Sequence, residues 1–204
     1  MPDNYQEVYL FAVTDPDKLL WLNILSIGLI APFLILTLVW SDVIARLRGT
    51  VTESGSQIPA LILWLGVISV LFLHEYIHGI AIRWTGLHPR YGAVWRYIGK
   101  IPVPIAFYAT PETGYFQSRA FIVVALAPVI VITLLGMALM AILPDYFKTY
   151  LITAIIINGV GAVGDLWMTI VVLRYPASVL VQDQADSIRI YQPLARANTE
   201  QKVE

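Results

Sequence analysis

The chain has no cysteine, only three histidines and few charges: Asp, Glu, Lys and Arg make up 13% of its 204 residues. Without cysteine there is no disulfide, and any zinc site must draw on His, Asp or Glu. The net charge of −1 leaves no basic surface for a nucleic-acid partner. Soluble proteins are about 25% charged and roughly 45–50% apolar, whereas 58% of this chain is hydrophobic. The N-terminus is acidic (Asp3, Glu7, Asp15, Asp17) and lacks the basic region and small-residue cleavage site of a signal peptide. The first apolar run is therefore expected to remain as a membrane span. There is neither an internal repeat nor a low-complexity tract.

What is present is a series of long apolar runs. About 20 such residues cross a bilayer as a helix, and four segments qualify: 19–40, 58–82, 120–143 and 150–173. A polar loop at 42–57, with Arg46, Arg48 and Glu53, separates the first pair, and Pro144-Asp145 turns between the last pair. Pro128 should kink the third span. Residues 89–117 are rich in aromatic and β-branched side chains, broken by Gly92, Gly99 and Pro102, which predicts a β-hairpin at the membrane interface. The tail, 174–204, holds a second strand–turn–strand candidate at 178–181 and 187–191, and reads as disordered beyond Pro193. The expected fold is an all-α membrane protein with four transmembrane helices. One membrane domain would cover 1–204, with the interfacial hairpin between the second and third spans and a small cytoplasmic tail. With the N-terminus inside, only Arg46, Arg48 and Lys148 of the thirteen Lys and Arg residues lie outside. Both termini are therefore expected in the cytoplasm.

Within these spans the acids are Glu75 and Asp165 and the histidines His74 and His78. Each such group costs roughly 2.5–3.5 kcal/mol at the bilayer centre even on the lenient insertion scale, so something must compensate. His74 and His78 stand one helical turn apart in His74-Glu75-Tyr76-Ile77-His78, where one Zn²⁺ can take both rings. Structural zinc supplies on the order of 10–16 kcal/mol in small peptides, enough to offset the insertion cost. Glu75 is placed to act as general base toward the attacking water. A hydrogen-bonded His–Glu–His cluster lining a water path is the plainer alternative.

A third ligand is needed. The histidines and Asp165 lie at similar depths, roughly 10–14 Å from the same boundary by helical rise, on spans running in one direction. Asp165 is thus the natural choice, with His88 and Glu112 as competitors. The soluble HExxHxxGxxH pattern fails, because Trp84 stands where its third histidine would be. Asn158, two turns before Asp165, shares its face and could donate to a substrate carbonyl or oxyanion, or simply bond between helices. Gly159, Gly161 and Gly164 suit close packing or local unwinding.

HEYIHG in one span, a strand-rich segment, Ala127-Pro128 in the next span and an Asn…Gly-Asp stretch later resemble the site-2 protease class of intramembrane metalloproteases. The chain is most similar to the small zincin peptidase family of bacterial membrane proteins, which also carry an Asp-containing tail hairpin like Val181-Gln182-Asp183. The resemblance, over about residues 58–193, implies one zinc held by His74, His78 and Asp165, with Glu75 catalytic. It also implies peptide-bond cleavage in or beside a membrane-spanning substrate. One departure is that Asp165 follows Gly164, without the Asn-Pro-x-Asp-Gly setting usual in the site-2 class. Two rivals to a bacterial plasma-membrane protease are weighed. A non-catalytic structural or regulatory subunit of a membrane complex would use the aromatic segment for docking. A transporter is disfavoured by the lack of a repeat or second acidic cluster.

Overall fold

The computed structural model describes residues 2–12, 15–49, 59–185 and 187–194. The elements run β1 (Tyr5–Ala12), α1 (Pro16–Arg48), α2 (Ala60–Trp84), β2 (Pro89–Ile98), β3 (Ile101–Pro111), β4 (Phe116–Gln117), α3 (Ser118–Ile142), a 3₁₀ turn (Asp145–Phe147), α4 (Lys148–Gly161), α5 (Val163–Val172), β5 (Leu180–Gln184) and β6 (Ser187–Pro193).

Helix α1 starts with Pro16 behind an Asp15 cap, whose carboxylate accepts the N–H groups of Asp17 and Lys18. It does not stop at the polar break expected after Trp40. Ser41, Ile44 and Ala45 are buried, Arg46 pairs with Asp42 at 2.8 Å, and Arg48 donates to Asp145 and to the carbonyls of Met140 and Leu143. Those polar residues are thus partnered in a helix, which ends at Gly49 in the left-handed region (φ 65°). The expected loop from residue 50 onward, and the tail from 195, lie outside the described residues.

Helices α1, α2 and α3 are each long and apolar enough to cross a membrane. Their outward faces carry bare apolar side chains such as Ile27, Val39, Leu61, Trp64 and Leu134. Such a surface matches a lipid solvent rather than water. The predicted fourth span is two helices, α4 and α5, meeting at Ala162 with a bend of 43°. Gly159 packs against the Phe33 ring, which a Cβ there would overlap, whereas Gly161 and Gly164 have open space beside them.

The all-α expectation needs correcting, because the acidic N-terminal segment is a strand. β1 pairs antiparallel with β6 from Tyr5↔Pro193 to Ala12↔Ser187, and the sheet runs β1-β6-β5-β4. The bulge between Glu7 and Tyr9 brings Phe11 to the buried side, and Arg189 pairs with Glu7 at 3.3 Å. The unbroken apolar run Val8–Ala12 outweighs the flanking charges. The segment from 89 splits: β2 and β3 make the expected hairpin, while β4 joins the other sheet through Phe116↔Val181. The main core joins this sheet to the helices through Phe11, Ile82, Phe116, Phe121, Met168 and Val181.

Candidate metal centre

Helix α2 presents His74 and His78 inward, their rings 4.9 Å apart and inclined at 75°. Both are buried. Each ring is anchored through Nδ1. The His74 Nδ1–H donates to Asn158 Oδ1 at 2.9 Å, and the His78 Nδ1–H donates to the Val124 carbonyl at 2.9 Å. Carbonyl oxygens only accept, so each Nδ1 carries the proton and each Nε2 is left with its lone pair for a ligand.

The Val124 carbonyl is available for a reason written in the sequence. In a helix it would accept the N–H of residue 128, and residue 128 is proline. Pro128 therefore does more than bend α3, because it releases the oxygen that orients His78. Its own carbonyl accepts from Asn158 Nδ2 at 3.4 Å. Asn158, 1% exposed, is thus engaged with His74 and Pro128 and is not among the residues lining the cavity. Its side chain bonds between helices, in a position to orient the His74 ring.

Asp165 enters in the first turn of α5, just beyond the bend. Its Oδ2 lies 3.2 Å from His74 Nε2 and 3.4 Å from His78 Nε2. Three ligand atoms on tetrahedral zinc, at 2.0–2.2 Å from the ion, stand about 3.3–3.6 Å apart. The observed spacing is close to that edge length. Two imidazole lone pairs aimed at one carboxylate oxygen repel unless a cation lies between them, so the donor set fits a divalent ion. Among the described residues, His74, His78 and Asp165 form the one group of His, Asp and Glu able to hold a metal. His88 and Glu112 stand outside it, joined by a main-chain bond from Glu112 N–H to the His88 carbonyl at 2.9 Å.

Glu75 lies outside the ligand triangle, half-buried, with the main-chain N–H of Ala109 on β3 beside its carboxylate. It borders two spaces. One is a cavity of about 510 Å³ that also holds His74, His78, Asp165 and, from the tail hairpin, Asp183 and Ile188. The other is an apolar groove of about 810 Å³ between α2 and the β2–β3 hairpin, walled by Phe72, Tyr76, Tyr91, Trp95 and Phe107. The hairpin seats closely because α2 has Gly79 directly after His78: a Cβ there would overlap the Tyr91 hydroxyl.

A family described as "Putative zincin peptidase" matches residues 67–180, which contain both histidines, Glu75 and Asp165. The chain belongs to this family. Zincins are metallopeptidases that use zinc, and the His–His–Asp triangle gives that membership a physical site in this chain. No curated protein and no solved structure matches the chain. Sequence reasoning found the three ligand candidates and Glu75. It did not find the Val124 and Ala109 main-chain partners or Asp183 in the cavity, although Pro128 marks the carbonyl four residues before it.

Proposed function

We propose that this zincin is an intramembrane metalloprotease that hydrolyses a peptide bond in, or next to, a membrane-spanning substrate. The observation that carries the reading is the convergence of His74, His78 and Asp165 from two helices, with Glu75 beside them on the shared cavity. One zinc ion held by those three residues would supply Lewis-acid polarisation of the scissile carbonyl and would acidify a water. Glu75 is placed to take a proton from the attacking water and return it to the departing nitrogen. Asn158 and the Val124 carbonyl keep both Nε2 atoms directed at the ligand site.

The hairpin supports a way to receive the substrate. Phe107 and Tyr108 of β3 line both the cavity and the groove, each of which Glu75 also borders, so this strand runs beside the site. An extended segment pairing there would lie beside Glu75, with apolar side chains in the Phe72–Trp95 groove.

The sheet also bears on topology. β1 precedes α1 and β6 follows α5, yet they pair directly, which supports placing the two ends of the helical part on one side of the bilayer. An even number of crossings agrees with that and favours counting bent α4–α5 as one span, for four in all. With the Lys and Arg distribution, it favours both ends in the cytoplasm of a bacterial plasma membrane.

Membrane fractions from cells producing wild type or Glu75→Gln test the activity. The variant should retain about one zinc per chain while wild-type-dependent cleavage fragments of membrane proteins fall by at least 100-fold. Identical fragments from both strains would overturn the protease reading and leave a non-catalytic subunit.

A further inference from the structure

We propose that Asp183 is a catalytic residue, accepting a hydrogen bond from the scissile-bond nitrogen as that nitrogen becomes the leaving amine. The assignment rests on the hydrolytic reading above.

Asp183 lies beyond the segment that the family matches, on β5. Strand alternation puts it on the same face as Val181, which is fully buried, and its register partner Ile188 lines the same cavity. An acid on that face is costly, and Asp183 makes no hydrogen bond or ion pair with a described residue. It faces His78, Asp165 and Glu75 across the cavity, but it is outside the group whose ligand atoms converge. Three carboxyls border the cavity. Asp165 is turned to the two histidines and Glu75 has the role of base, which leaves Asp183, on a separate wall, without an assignment.

The chemistry creates a need for such a group. The water oxygen bonds to the carbonyl carbon as Glu75 takes one of its protons. The C–N bond then breaks with its electron pair left on nitrogen, to which Glu75 returns that proton. The products are a carboxylic acid and an amine. During this step the nitrogen changes from a planar amide with one N–H to a pyramidal amine with two. A new N–H needs an acceptor on the cavity wall, and a carboxyl oxygen at 183 accepts in either protonation state.

The test uses zinc-loaded full-length protein in detergent and three apolar peptide mimics that carry tetrahedral phosphorus in place of the carbonyl carbon. They differ only in the next atom: –NH–, –O– or –CH₂–. Wild type should prefer the –NH– mimic over the –O– mimic by up to about tenfold, the range of one hydrogen bond. Asp183→Asn, which keeps an acceptor oxygen, should retain most of the preference. Asp183→Ala should lose it while keeping zinc content and melting temperature. An undiminished preference in Asp183→Ala, or equal binding of –NH– and –O– mimics by wild type, overturns the proposal, the latter without need of a variant. Zinc loss in Asp183→Ala also overturns it by making the residue structural. If no mimic binds wild type, the hydrolytic reading fails, and the role of Asp183 fails with it.

Discussion

Asp165 is the residue on which the metal centre turns, since it alone brings α5 to the α2 histidines. Asp165→Ala should drop zinc below stoichiometric amounts in a metal assay on purified protein, and retained stoichiometric zinc would move the third ligand elsewhere. Gly79 answers to a different constraint, the thickness of a Tyr91 ring. Gly79→Ala should lower stability by about 1–3 kcal/mol, the usual cost of overpacking, and disturb Glu75 because Tyr91 stands opposite Ala109. A thermal melt beside an activity assay checks both effects. Burial pushes the Asp183 carboxyl up to about 8, with His78 pulling the other way. An acid whose folded value exceeds its unfolded 3.8 favours folding below that value, and the benefit is lost as pH rises toward 8. In metal-free protein, Asp183→Asn should therefore melt higher than wild type at pH 8 and about equally near pH 4.

At the scale of elements, α3 acts through a missing donor. Pro128→Ala would restore an N–H aimed at Val124 and make it compete with His78 for the same oxygen. Zinc affinity should fall by about tenfold, the low end for loss of a partner behind a metal ligand, even as the helix itself gains a hydrogen bond. Competition with a chromophoric chelator reads the change, and unaltered affinity would mean that one carbonyl serves both donors. The same elements explain what the sequence could reveal. His74, Glu75, His78 and Asp165 stood out because ionisable groups are conspicuous in apolar runs, and helical rise alone matched their depths. The β2–β3 hairpin and the tail strands were visible in their β-branched and aromatic content. Main-chain partners such as the Val124 carbonyl and Ala109 N–H have no letter of their own, so they surfaced only with coordinates. β1 was hidden because its apolar run, Val8 to Ala12, is short, does not alternate and sits between Glu7 and Asp15. The bend at Ala162 was only half visible, because the glycines around it suit close packing as well as unwinding.

For the whole molecule, β1 and β6 bring the first and last described segments into one sheet. That sheet supplies part of the wall around the catalytic chemistry, Phe11 from β1 and Asp183 from β5. β1 leaves the ribosome before α1, and its partner emerges about 175 residues later by position in the chain, so this wall is among the last parts to close. A nascent chain that has inserted α2 already carries both histidines and Glu75, but not Asp165, Asp183 or the strand that seals Phe11 in place. The cavity beside the His–His–Asp group thus closes only once the chain has been made through β6.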